Sequence, residues 1–195
     1  MKYVPQNHGF TLIEALIAVT IVTLSVAGPL YTASRALVAA EIARDKLTAS
    51  YLAQEGVEYI RMMRDSAYLS APATGWSDFT TAIETYCFGP SSSCTIDPSN
   101  PLVGYGPGKS IVNYVGNAPL YLANCTNGAG GLSCAPPNYY TQQSGLPVSS
   151  KTPFTRTVQA FHTSGNEERI DSAVTWSFHG TPYTVTVSDH VTPWQ

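Results

Sequence analysis

The sequence is poor in charge. Only 12% of its 195 residues are Asp, Glu, Lys or Arg. With 10 basic residues against 13 acidic ones and no basic run anywhere, it lacks the electrostatic footprint of a nucleic-acid-binding protein. The deficit sharpens beyond Ser66, where Lys109, Lys151, Arg156 and Arg169 face Asp78, Glu84, Asp97, Glu167, Glu168, Asp171 and Asp189. Such a surface repels phosphate overall, so nucleic acid is not an expected direct partner.

Recognisable sites of chemistry are also missing. Cys87 and Cys94 are separated by six residues, and Cys125 and Cys134 by eight. Neither gap is the C-x-x-C of a zinc site, and no His lies within them. His162, His179 and His190 have no Ser, Cys or carboxylate at a hydrolase or zinc-site spacing, and they read as surface or internally satisfied histidines. Asp97, Ser99 and Asn100 could offer oxygens to calcium, but the D-x-D-x-D-G pattern is absent. Gly128, Gly130 and Gly131 are followed by no Lys and no helix pattern, so they are not a phosphate loop. The expectation is a protein with no cofactor, no metal and no catalytic residues.

What the sequence does contain is one long apolar run. Residues 10–31, FTLIEALIAVTIVTLSVAGPLY, carry no Lys or Arg, and as a helix they are long enough to cross the ~30 Å of a bilayer's hydrocarbon core. Glu14 is the single charged residue in the run. A carboxylate at a bilayer centre costs about 2.5–3.5 kcal/mol, so an acid in such a place needs a functional reason. A secretory signal peptide would explain the run differently, with Ser25, Val26 and Ala27 as a small-x-small cleavage site. Against that stand the lone Lys2, the interruption by Glu14, and helical patterning that continues to Asp65.

Gly9, Phe10, Thr11, Leu12, Ile13 and Glu14 read GFTLIE. Through these residues the chain resembles the type IV prepilins and pseudopilins of pili and of type II secretion. The resemblance implies that residues 1–9 are a leader removed by a prepilin peptidase, which cuts between Gly9 and Phe10. It further implies N-methylation of Phe10 and an assembly role for Glu14 inside the membrane. The implied partners are the prepilin peptidase, other pilin or pseudopilin subunits, and membrane lipid along residues 10–31. The implied location is the cytoplasmic membrane, crossed once with an exported C-terminal head, followed by a cell-surface or periplasmic filament. The residues agree: Gly9 lets a protease approach the backbone closely, and the cut precedes the apolar run, so the anchor survives. Lys2 fits the positive-inside bias.

Beyond the apolar run, Ile42, Ala49, Leu52, Gly56, Ile60 and Met63 recur at helical spacing and form one stripe. The pattern predicts a single helix over residues 10–67, roughly 85 Å long at ~1.5 Å per residue, loosened or kinked at Gly28 and Pro29. Glu41, Arg44, Asp45, Lys46, Glu58 and Arg61 form a solvated face with weak surface pairs. Residues 68–195 form the head. Its first part, 68–153, reads as loop-rich, with one hairpin of residues 111–115 and 120–123 turned at Gly116 and Asn117.

Four cysteines permit three connectivities. Sequential pairing, Cys87 with Cys94 and Cys125 with Cys134, would tie two stretches too poor in apolar residues to order themselves. Residues 154–195 read as three antiparallel strands: Val158 and Ala160 on the first, Ile170, Ser172, Val174, Trp176 and Phe178 on one face of the second, and Tyr183, Val185 and Val187 on the third. His179 to Pro182 would make the last turn, and Trp194 would cap the core. The fold class expected is α+β, pilin-like: a long N-terminal helix against a small antiparallel sheet, with a disulfide-tied loop region.

The order of LAQEGVEYIRMMRD, a variable region, TPFTR and VTW resembles the PilV-like minor pilins and the I-type minor pseudopilins over residues 9–67 and 152–194. That resemblance implies a minor structural subunit that assembles or primes a pilus or a type II secretion-like pseudopilus. A binding module at a filament tip is the alternative, with Tyr105, Tyr121, Tyr139 and Tyr140 as aromatic contacts. A secreted or anchored enzyme ranks last.

Overall fold

The computed structural model describes residues 9, 11–89, 93–95, 112–113, 119–123, 139–142 and 149–193. The chain divides into two compact units, Met1–Asp45 and Lys46–Gln195. Helix α1, Leu12–Ser70, contributes to both and is assigned without interruption through Gly28 and Pro29.

Thr11 sets the start of α1. Its Oγ1 accepts from the Glu14 backbone N–H at 3.4 Å, and its carbonyl accepts from Ala15 N at 3.2 Å. Thr-x-x-Glu is the pattern of a capping box, and Glu14 adds negative charge to the first turn, where the helix dipole favours it.

In the second unit, α1 is joined by α2 (Gly75–Cys87) and seven strands: β1 (Cys94–Thr95), β2 (Val112–Asn113), β3 (Pro119–Ala123), β4 (Tyr139–Thr141), β5 (Ser149–Ser164), β6 (Glu167–Phe178) and β7 (Thr181–Val191). All strand pairings in the sheet are antiparallel, giving the expected α+β class. Strands β5, β6 and β7 form the expected C-terminal meander. The β6–β7 turn is two residues, His179 at φ 49° and Gly180 at φ 81°. Positive φ at both positions is what a right-twisted hairpin requires, and glycine supplies the second without cost. Pro182 already belongs to β7, opposite Ser177. It is tolerated there because β7 pairs only with β6 among the described residues.

Strand β5 carries two partners along its other edge. β3 pairs with it from Ser149 to Thr155, and β1 at Val158. The expected hairpin of residues 111–115 and 120–123 is therefore corrected. β2 pairs with β1, whereas β3 lies between β5 and β4. The reason lies in burial: Leu120 is fully buried among Ala49, Leu52 and Phe154, which places β3 beside β5 and over α1. A second correction concerns residues 75–87, expected as loop and found as α2. Trp76, Phe79, Ile83 and Cys87 follow a helical spacing, and their side chains pack into the core beside Ile60, Met63 and Ala67. Thr80, Thr81 and Thr85 conceal that pattern because threonine is a weak helix former. At the corner between the helices, a Cβ on Gly75 would stand 2.8 Å from the Tyr68 Cα, so only glycine lets α2 leave so tightly.

One face of the sheet is covered by residues 46–70 of α1 and by α2. β6 shows the consequence directly: Glu168, Ile170, Ser172, Val174 and Trp176 are buried, and their neighbours are less so. Of the stripe expected on α1, Ala49, Leu52, Gly56, Ile60 and Met63 are buried, and Ile42 is half-buried. Trp194 lies outside the described residues.

Candidate functional site

The first unit contains the residues expected from the sequence to take part in processing and anchoring. Gly9 is exposed, Phe10 lies outside the described residues, and Glu14 stands exposed in the first turn of α1. Residues 15–34 contain no charged residue, a span of about 30 Å as a helix. Their apolar side chains face outward: Leu16, Ile17, Val19, Ile21, Val22 and Leu24 are all more than half exposed. The most apolar stretch of α1 buries none of its residues in the protein, and the helix is long and apolar enough to cross a membrane.

The polar groups of this stretch are arranged for an apolar medium. Thr20, Thr23, Ser25, Thr32 and Ser34 each donate their hydroxyl to a helix carbonyl three or four residues back, at 2.8–3.3 Å. The hydroxyls of these serines and threonines are thereby satisfied within the helix, as a lipid-facing stretch requires. Glu14 is the one charged side chain in residues 12–34. The stretch ends at Tyr31 and Arg35, where the guanidinium lies 5.3 Å from the ring centroid and Nε donates to the phenol oxygen at 3.2 Å. An amphipathic aromatic beside a cation is the usual composition of a membrane boundary.

In the second unit, the long helix is fastened to the sheet by charge as well as by apolar packing. Arg156 of β5, 1% exposed, donates to the Leu52 carbonyl at 3.0 Å and to Glu55 Oε2 at 2.6 Å. Arg61 donates to Asp189 on β7 at 2.9 Å and also pairs with Glu58. The hydrogen bond to Asp189 raises the Arg61 pKa above the ordinary arginine value, against partial desolvation. That clip therefore keeps its charge at every physiological pH. Arg64 adds a bond to the Thr192 carbonyl at 3.2 Å. The sequence showed Glu58 and Arg61 only as part of a solvated face, because Asp189, the strand partner of Arg61, lies more than a hundred residues away.

Cys87 and Cys94 form a disulfide, as sequential pairing expects. Cys125 and Cys134 lie outside the described residues, as do Asp97, Ser99, Asn100, Tyr105 and the glycines at 128, 130 and 131. Of the remaining tyrosines, Tyr121 is half-buried on β3, Tyr139 belongs to β4, and Tyr140 packs against the Leu120 and Phe154 cluster. Two histidines are engaged by carboxylates: His162 Nδ1 lies 2.6 Å from Glu168 Oε1, and His190 Nδ1 lies 2.8 Å from Glu167 Oε1. His179 stacks on Phe178 at the β6–β7 turn. The His162 pairing was not legible in the sequence: a regular two-residue turn at Gly165 and Asn166 would set Thr163 opposite Glu168, and a register shift between His162 and Ser164 brings His162 there instead.

No curated protein and no solved structure gives a significant match to the chain. Residues 5–28 match the family model for the prokaryotic N-terminal methylation motif, so the chain carries a type IV pilin-like prepilin motif at the head of its exposed apolar helix.

Proposed function

We propose that this chain is a minor type IV pilin or pseudopilin, a structural subunit without catalysis of its own. The reading rests on one conjunction: a methylation motif at residues 5–28 overlaps an exposed apolar stretch of helix, residues 12–34, whose one charged residue is Glu14. In this account residues 1–9 are removed by a prepilin peptidase acting between Gly9 and Phe10, and residues 10–31 anchor the chain in lipid. Residues 68–195 form an exported head, which the Cys87–Cys94 disulfide suits, because such bonds persist in oxidising compartments.

The chemistry of assembly follows from the cut. Cleavage creates an amine at Phe10, which is protonated at neutral pH and keeps its charge on methylation. Inside a membrane that cation needs a partner, and Glu14 of a neighbouring subunit supplies one. A misregistered subunit would leave both charges unpaired, which is costly in hydrocarbon and so enforces register. The resemblance of the GFTLIE, LAQEGVEYIRMMRD and TPFTR segments supports the assignment to minor pilins or pseudopilins.

The test is quantitative proteomics of filaments sheared from cells that have or lack a prepilin peptidase. The account expects the chain in the filament fraction at a small fraction of the major subunit's abundance, and its loss without the peptidase. Absence from filaments in both strains, or abundance equal to the major subunit, contradicts it.

A further inference from the structure

Three ligand-bearing side chains from three elements converge at the rim of the head's core. Glu84 stands on α2 one turn before Cys87, His162 near the end of β5, and Glu168 opposite His162 on β6. One ligand atom from each lies within 4.8 Å of the other two. His162 has the strand parity of Val158 and Ala160, and Glu168 that of Ile170, so both belong to the helix-covered face.

Glu168 makes the cluster more than a surface coincidence. It is 1% exposed; its Oε1 meets His162 Nδ1 at 2.6 Å, but its Oε2 is buried with no hydrogen-bond partner among the described residues. A buried carboxylate oxygen without a donor is costly, and a cation within reach removes that cost. The backbone around the cluster is already held. Phe88 bridges to Ala160, Gly89 N donates to the Ala160 carbonyl at 2.9 Å, and the Cys87–Cys94 disulfide ties α2 to a strand paired at Val158.

We propose that Glu84, His162 and Glu168 form a binding site for a divalent transition-metal ion, best suited to Zn2+. One imidazole and two carboxylates make a three-ligand nitrogen and oxygen set that leaves a fourth position to water, as zinc accepts. Calcium asks for six to eight oxygens, which this set does not supply. Zinc bonds of about 2.0–2.2 Å bring ligand atoms closer together than 4.8 Å. Glu84, exposed and free to change rotamer, closes the gap. The bound ion would fasten α2 to the β5–β6 hairpin, beside the disulfide. The site does not depend on the filament reading, because all three ligands belong to the second unit.

The test uses the untagged full chain in detergent micelles, stripped of metal and titrated with Zn2+ against a chromophoric chelator. The site predicts one Zn2+ per chain and a rise in Tm on binding. Glu84→Gln and His162→Gln should each weaken binding at least about tenfold, since even the outer-shell partners of a ligand are worth that much. Glu84→Gln should leave the metal-free Tm unchanged, because the side chain is exposed. Failure to take up one Zn2+ saturably, equal uptake by both variants, or tighter binding of Ca2+ than of Zn2+ overturns the proposal.

Discussion

Glu55 and Arg156 are 101 residues apart in the chain, and their side chains meet at 2.6 Å between helix α1 and strand β5. Arg156 is 1% exposed and Glu55 41%, so the pair lies at the edge of the core with its cation inside. The two residues belong to the LAQEG and TPFTR segments that look unrelated in sequence. Their contact fixes which turn of α1 lies over β5.

Removing the acid takes a carboxylate away from a buried cation. Glu55→Ala leaves Arg156 buried with its bond to the Leu52 carbonyl but without the Glu55 charge. The expected loss is about 1.5–3 kcal/mol, below the ~3–5 kcal/mol of a fully buried pair because Glu55 is partly solvated. Urea unfolding of the wild type and the variant measures it. A loss under about 0.5 kcal/mol, the level of an exposed pair, would show that the contact does not hold the helix in place.

At Gly56, the next residue, α1 passes close to Ser172 of β6. A Cβ there would stand 2.4 Å from Ser172 Oγ and 3.3 Å from Arg156 Cδ. Gly56→Ala gains ~1 kcal/mol of helix propensity but meets an overpacking cost of ~1–3 kcal/mol, giving an expected net loss of about 1 kcal/mol. Ser172→Ala removes the hydroxyl that clashes. In that background Gly56→Ala should become neutral or stabilising, and a double-mutant cycle of unfolding free energies reads the change of sign.

Cys87 and Cys94 close a short loop with both residues fully buried. The chain-entropy model gives about 2.5 kcal/mol for a loop of this length. Replacing both by Ala should lower stability by that order, and a reductant should act on the wild type only as it unfolds. Thiol labelling under native conditions checks the second point, and rapid labelling would contradict it.

How much of this was legible in sequence depends on how local the signal is. GFTLIE and the charge-free run lie in consecutive residues, and the β5–β7 strands announce themselves by alternation, as at Ile170, Ser172, Val174 and Trp176. The stripe from Ala49 to Met63 is likewise a one-dimensional pattern. Helix α2 stayed hidden because its core residues Trp76, Phe79, Ile83 and Cys87 are spread among threonines and follow a glycine. The placement of β3 beside β5 depends on Leu120 finding the pocket made by Ala49, Leu52 and Phe154, a long-range choice that no local turn signal encodes. Contacts such as Glu55 with Arg156, or Glu84 with His162 and Glu168, join separate elements and emerge only once the sheet is assembled.

Glu14→Ala should leave leader cleavage and the folding of the head intact, because Glu14 is exposed in the first turn of α1. Its effect should appear later, as reduced recovery in sheared filaments. The loss should be partial for a subunit at the tip, with no subunit ahead of it, and near complete for one repeated along the shaft. Normal processing with wild-type recovery would remove the charge-pairing account of register.

The central claim is that the chain is cut before its apolar helix and retains that helix. Intact-mass analysis of the protein, extracted with detergent from cells that contain a prepilin peptidase, tests this directly. The account predicts a chain beginning at Phe10 and carrying one additional methyl group on its terminal amine. A mature terminus at Gly28 would mean a secretory signal cut after Ala27, with loss of the anchor, and would contradict the account.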